Sequence, residues 1–485
     1  MAFSIRQSIL SVSVAVLLAG CSVLVSDPEI TVGPASPGQD ITTASERRVG
    51  QRSHPQILAK YGGVYENKNL EALVTRVLSR LVPASDEPAR SYRVTILNSP
   101  TVNAFAVTGG YLYVTRGLIA LANDESELAA VLSHEIAHVT ARHGIARARK
   151  QEAAALASKV TAQVVADREM AQVALASTKI SLAQFSQVQE LEADIIGIRT
   201  SGNAGYDPHA ASRFLTSLSR FGAFREARKE GGESRDFLSS HPSTPDRIER
   251  ARRTARQFGG PGLGRRGQEE YLRAIDGMMF GDDPSEGFIR GRSFIHTKLG
   301  ISFTVPRGFV LENTRQALLA RNGVGTALKF DSVAGSRSAP MQGYLMKNDI
   351  KGLIPASLRE FTINGNDAAS ASAINDEWSF RIGLVRGGKT IYRFVFATQQ
   401  PNAEFDRDFR ETLETFRPLS RSEIAKYKPL SLEVVKVGNS DTQAGFGRRM
   451  GGVESADQLA FFRIMNGLTS EDELTAGDLV KVVTE

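Results

Sequence analysis

Histidines stand at positions 134, 138 and 143 within LSHEIAHVTARHG, and that spacing asks for a helix. Asp124-Glu125-Ser126-Glu127 has the form of a capping box, and LAAVLSHEIAHVTARHGIARAR follows without proline or an early glycine. The pattern therefore predicts a helix that begins near residue 125 and continues through all three histidines. On it His134 and His138 are four apart on one face, close enough for both imidazoles to reach one ion. Glu135 follows the first of them and can activate a bound water, the arrangement in which two histidines bind zinc and the glutamate is the general base. An amphipathic surface helix could carry the same residues by chance. The apolar start of this helix and the strand pair immediately before it favour the metal.

A catalytic zinc wants a third protein ligand and an open position for water. His143 is nearest in sequence but fails. A chain that bends back to its third histidine needs glycine three residues, and histidine six residues, after the second histidine; here those positions are Ala141 and Gly144. If the helix continues, His143 lies roughly 500° around from His138, on another face. The better candidate is in QVQELEADIIG, where Glu190 and Asp194 are four apart and share a face while Glu192 points elsewhere. Glu190 would complete a two-histidine, one-glutamate set, and Asp194 could accept the free ring N–H of a ligand histidine. A solvated acidic helix face explains the same spacing equally well.

Around this region the pattern is mostly helical from Arg47 to Phe258. It is interrupted by YRVTILNSPTVNAFAVTGGYLYVTRGLI, two β-rich runs with a turn at Asn98-Ser99-Pro100 and then Gly109-Gly110. The strand Asn103-Ala104-Phe105 is expected to lie along the cleft, where an extended substrate could add to its edge; a purely structural hairpin is the alternative. The Ala-rich stretch from Gln151 to Asp194 should be a long helix or helix pair. Gly259-Gly260-Pro261-Gly262 breaks the helical pattern. Beyond it come short alternating runs such as SFTV, FRIGLV and TIYRFVFA, with helices expected near Ile354–Phe361 and Phe405–Phe416. The chain thus reads as an α+β multidomain protein. Its divisions are a leader (1–21), a tether (22–46), a helical domain with a small sheet (47–258), a linker (259–287), an antiparallel α+β domain (288–425) and a small βααβ unit (430–485). No function attaches to residues 286 to 425, where Trp378 and the phenylalanines read as core.

The net charge of +6 is spread along the chain without interleaved aromatics, which excludes a nucleic-acid platform. Arg6 precedes the apolar run SILSVSVAVLLAG, too short for a permanent membrane helix but suited to export. The run ends at Leu18-Ala19-Gly20-Cys21, which resembles the lipobox of bacterial lipoproteins, whose cysteine is acylated. Cys21 is the only cysteine in the chain, so an oxidising compartment is permitted but not required. The resemblance implies a lipid anchor facing the periplasm. By the same resemblance Ser22, in place of the aspartate that retains many lipoproteins in the inner membrane, favours the outer membrane.

Taken together, HEIAH, the preceding NAFAVTGGYLYVTRGLI and the following ELEAD resemble the HtpX-like and CAAX-prenyl-protease family of zinc metallopeptidases, in its soluble periplasmic branch. The resemblance covers roughly residues 45 to 255. It implies a zincin fold, one Zn2+ per chain, Glu190 as third ligand beside His134 and His138, and Asp194 in the aspartate position of the same motif. The segment SHPSTPDRI also recurs in such bacterial relatives and brings in His241 and Arg247. His241 would then donate to the oxyanion or bind the metal as an inhibitory fourth ligand, unless it only packs in a helix-entry turn. The implied activity is endoproteolysis of unfolded or misassembled envelope proteins. A chaperone or scaffold lipoprotein that seldom cleaves is the alternative from another class, motivated by an accessory mass as large as the catalytic domain. The C-terminal segment, with Asn466-Gly467-Leu468 and Gly477-Asp478, faintly resembles a LysM module, which would add peptidoglycan as a partner; a degenerate unit that only packs or binds protein fits the segment equally well. The protease-family likeness would add the outer-membrane assembly machinery. The expected Gly-Asp of its first strand appears as Gly438-Asn439.

Overall fold

The structure is a computed structural model that describes residues 30–32, 42–150, 185–228, 237–314, 317–323, 325–336, 339–347 and 350–485. Most of the stretch expected as a long Ala-rich helix, residues 151–184, lies outside the described residues, as do the leader and Cys21.

Helix α1 (Ala44–Lys60) starts at a capping box in which Thr43 and Glu46 satisfy each other's backbone N–H groups. Helix α2 (Lys68–Ala84) carries Leu70, Leu73, Val74, Val77, Leu78 and Leu81 at helical spacing, all fully buried. Strands β1 (Ile30–Val32), β2 (Tyr92–Leu97), β3 (Ala104–Val107) and β4 (Tyr111–Thr115) form a sheet in the order β1-β2-β4-β3. β2 runs parallel to β4, and β3 pairs antiparallel with it, leaving β3 at the end of the sheet among the described residues. The β3–β4 turn depends on Gly110, at φ 81°, where an added Cβ would come within 2.2 Å of the Ser91 carbonyl.

From β4 the chain enters a short helix, α3 (Arg116–Leu121), and then α4 (Glu125–Thr140), capped by the Asp124 side chain accepting from the Glu127 N–H. Every residue from Glu125 to His138 is buried, so α4 is the central rod of this half of the molecule. It does not continue through His143. It ends at Thr140, Arg142 takes a left-handed φ of 58°, and helix resumes at residue 143. Helix α5 (Gln187–Asn203) packs on α4, and α6 (Ala210–Ala227), the single turn α7 (Phe237–Ser240) and α8 (Pro245–Arg256) complete the layer. The α4–α5 approach requires Gly197, since a Cβ there would lie 3.0 Å from the His134 backbone nitrogen.

Helix α9 (Gln268–Ile275) leads to the second half. Strands β5 to β8 are Met279–Phe280, Phe288–Arg290, Ser293–His296 and Ile301–Thr304; β9 to β11 are Phe309–Asn313, Leu318–Asn322 and Thr326–Ala334. After helix α10 (Met341–Lys347) come β12 (Leu353–Ile363), β13 (Asn366–Ile374), β14 (Ser379–Gly387) and β15 (Thr390–Thr398). They form an antiparallel seven-stranded sheet in the order β12-β13-β14-β15-β11-β10-β9. Helix α11 (Ala403–Glu414) packs its Phe405, Phe409 and Leu413 with Phe303, Phe330, Phe394 and Phe396 in one aromatic core. The helix expected near Ile354–Phe361 is instead the first strand of a hairpin. Its turn is Asn364-Gly365, with φ 47° and 78°, a strong hairpin signal that outweighs the apparent helical spacing.

The chain closes with β16 (Arg417–Pro418), α12 (Arg421–Ile424), β17 (Leu430–Lys436), α13 (Gln443–Gly447), α14 (Gln458–Met465) and β18 (Leu479–Thr484). β5 joins β17 and β18 in a three-stranded sheet. This βααβ unit has no core of its own: Leu432, Phe462, Met465, Val480 and Val482 belong to one cluster with Leu118, Ile119, Leu128 and Tyr271. Among the described residues no helix is long and apolar enough to cross a membrane.

Candidate metal centre

Helix α4 turns His134 and His138 to the same side, toward α5, where Glu190 lies in the first turn behind a capping box built by Ser186 and Gln189. His134 Nε2 is 3.0 Å from His138 Nε2, 3.3 Å from His241 Nδ1 and 3.6 Å from Glu190 Oε2. Glu190 Oε1 is 2.8 Å from His241 Nδ1 and 3.5 Å from His138 Nε2. One donor atom from each of the four residues thus lies within 4.8 Å of the others, and all four residues are buried.

These atoms suit a metal better than they suit each other. His134 Nδ1 is 3.0 Å from Asp194 Oδ1, so the ring's hydrogen points to the carboxylate and Nε2 is left with a lone pair. Burial lowers the imidazole of His134, and lowers His138 well below its ordinary range. His241 falls to about 3 for the same reason, with the Arg247 charge adding to it. Three neutral rings and a carboxylate therefore aim electron pairs at one point, which hydrogen bonds among themselves cannot all satisfy. A tetrahedral ion with ligand bonds of about 2.0–2.1 Å separates its ligand atoms by roughly 3.3 Å, close to the spacing here. The residues fit zinc.

Behind the four donors, Arg247 on α8 makes two 2.8 Å hydrogen bonds to Asp194, and its Nη1 is 2.8 Å from Glu190 Oε2. Burial works against the Asp194 charge, but the bonds from Arg247 and His134 prevail and hold its carboxyl near 2. Glu135 faces β3: its Oε2 accepts from the Ala106 N–H at 3.1 Å, while Oε1 finds no hydrogen bond among the described residues. Burial, then the Glu190 charge, pushes the Glu135 carboxyl well above the usual range.

The β3 residues flank this point. Ala104 and Phe105 pair with Val114 and Tyr113 of β4, and the Asn103 side chain donates to the Tyr61 hydroxyl at 3.3 Å. His143 is not one of the four donors. Because α4 breaks at Arg142, its Nδ1 comes within 2.9 Å of His138 Nδ1, and its Nε2 lies 3.3 Å from Glu192. Two residues that spacing did not single out also touch the site. Phe185 stacks on His138 at 4.0 Å, and Phe237 stacks on His241 at 4.5 Å while its N–H donates to the Val102 carbonyl. An aromatic reached only through tertiary folding leaves no periodic trace in the sequence.

Residues 67–255, which span α2 through α8 and hold every donor just described, match peptidase family M48. The chain carries an M48 peptidase domain. Over 213 residues it is 30% identical to the mitochondrial metalloendopeptidase OMA1 of Schizosaccharomyces pombe, covering 43% of this chain and 60% of that one. It is 32% identical over 231 residues to a putative beta-barrel assembly-enhancing protease of Vibrio cholerae, covering 46% of each. With the beta-barrel assembly-enhancing protease of Escherichia coli the figure is 32% over 189 residues, or 37% of each chain. The chain therefore spans less than two thirds of the length of each of these relatives. The M48 match stops before the seven-stranded sheet and the βααβ unit.

Proposed function

We propose that the chain is a zinc endopeptidase acting on unfolded or misassembled proteins of the bacterial cell envelope, held at the periplasmic face of the outer membrane through lipidated Cys21. The observation that carries the catalytic part is the buried convergence of His134, His138, Glu190 and His241 beside the half-bonded carboxyl of Glu135. His134, His138 and Glu190 would hold the zinc, which when bound acidifies a water and polarises the scissile carbonyl. Glu135 takes the proton from that water and passes it to the leaving amine. Its burial suits both steps, since a carboxyl held above its ordinary range is a better base for the first and a proton carrier for the second. Asp194 and Arg247 fix the His134 ring. The β3 edge at Ala104 and Phe105 gives an extended substrate main-chain partners that ignore side-chain identity, which suits unfolded clients, while Asn103 anchors the start of the strand through its backbone bonds to Thr115.

The names of the Vibrio cholerae and Escherichia coli relatives support an envelope setting and clients from outer-membrane assembly. His241 is read as a latch: a fourth protein donor closes a site that catalysis needs open, so the resting enzyme is slow. Its Phe237-braced turn is what has to yield. The LysM-like unit is left with peptidoglycan as a candidate ligand. The deciding experiment compares wild type with Glu135→Gln on casein and on a denatured outer-membrane protein. Loss of about 10²-fold or more in rate supports the protease. Equal cleavage by both would favour the scaffold or chaperone reading.

A further inference from the structure

Lys481 stands on the last strand of the chain and is 1% exposed. Its Nζ donates to three main-chain carbonyls: Ala120 at 2.8 Å, Leu121 at 3.2 Å and Ala122 at 2.7 Å. An ammonium has three hydrogens, and all three are used. The carbonyls are those that the end of α3 leaves without helical partners, where a cation also meets the negative end of the helix dipole. The lysine's own backbone is fixed from both sides by Asn466, which accepts from its N–H at 2.7 Å and donates to its carbonyl at 2.9 Å. Gly467 follows at φ 66°, and a Cβ there would come within 3.2 Å of the Asn123 side chain. Burial lowers the lysine to about 7, and Glu127 of α4 and the cap residue Asp124 act against that lowering; both carboxylates are in turn met by Arg213 of α6. The Tyr271 hydroxyl of α9 bonds the neighbouring Ile119 carbonyl at 2.6 Å.

The clamped segment is the elbow between α3 and α4. Ala122 and Asn123 are the only residues between the end of α3 and Asp124, the cap of the metal-bearing helix. His134 is ten residues past that cap, roughly 15 Å along the axis. A tilt of about 4° at the elbow would move it by ~1 Å, a displacement that can cost on the order of 10²-fold in rate.

We infer that Lys481 is a positioning residue for the M48 site: the C-terminal βααβ unit is a built-in part of the peptidase, and through this lysine it sets the α3–α4 elbow and hence the placement of His134, Glu135 and His138. This rests on the peptidase reading, and wild-type activity is the control that separates the two. The test is full-length Lys481→Met, which keeps the stem and removes the donors, set beside Val482→Ala, a cavity variant on the same strand whose side chain donates to none of the three carbonyls. At saturating zinc and well below both melting temperatures, kcat should fall tenfold or more in Lys481→Met with KM little changed. Val482→Ala should keep its kcat despite a lower Tm. Equal kcat in both variants, or losses that track Tm alone, would overturn the inference. Should Lys481→Met not fold, a cleavage site placed at exposed Lys426 and opened after folding gives the second measurement. Residues 427–485 should stay bound to the nicked protein, and stripping them should abolish activity; a C-terminal piece that departs while activity stays would overturn it too.

Discussion

Removing Glu190 takes away one of four converging donors, whereas removing His143 takes away only a neighbour of His138. Metal analysis should accordingly find about one zinc per chain in wild type and in His143→Ala, and little in Glu190→Ala; the reverse pattern would reject the ligand assignment. His241→Ala separates three roles in a single assay on an unfolded substrate at matched zinc content. A latch predicts higher turnover, an oxyanion donor predicts a loss of about 10²-fold or more, and a packing role predicts no change. The residues of this site were unequally legible. His134, Glu135 and His138 follow from the spacing on one helix, because i and i+4 must meet. Glu190 and Asp194 needed the family likeness to be chosen over a solvated acidic face. Phe185, Phe237 and Gly197 were not legible, since their roles exist only once separate helices have met.

At the scale of elements, two expectations failed through backbone features that a periodicity count ignores. The zinc helix stops at Thr140 because Arg142 turns left-handed, and that break carries His143 back against His138. The stretch Ile354–Phe361 lies in a strand because Asn364-Gly365 closes a hairpin behind it. The contact of α5 with α4 offers a sharper test than either. Gly197→Ala would push a methyl group into main-chain atoms of His134 and Ser133, which cannot rotate away. We expect a net loss of about 1–2 kcal/mol in denaturant unfolding, the strain exceeding the helix-propensity gain. A variant as stable as wild type would mean that α5 can shift, and with it Glu190.

For the whole molecule, pH dependence should show in the accessory half as well as at the metal. His296 is 8% exposed; burial, with Lys298 nearby, lowers its imidazole from 6.5 to about 4. The unfolded chain therefore takes up this proton first as pH falls. The contribution to stability is complete above about 6.5 and declines between 6.5 and 4, by about 1–2 kcal/mol once solvent screening is allowed for. His296→Gln should lose correspondingly less stability than wild type between pH 7.5 and 4.5; parallel losses in both would contradict the assignment. Attachment belongs to this scale too. Cys21→Ala should move the protein from the membrane to the soluble periplasmic fraction, and unchanged fractionation would refute the anchor.

The shared core of β17, β18 and the helices around α4 also bears on the order in which the parts of the chain become available during synthesis. The N-terminal end emerges first, so residues 44 to 278 are available long before Leu430 to Thr484. Until that last strand arrives, Leu118, Ile119 and Leu128 have an uncovered side, and the carbonyls of residues 120–122 have no lysine to cap them. Contacts separated by about 360 positions form late, after the nearer ones are in place. A nascent or truncated chain would hold HEIAH without the clamp that aligns it. On the peptidase reading proposed above, the chain's own length then acts as a delay, leaving the site unaligned until the last strand has been made.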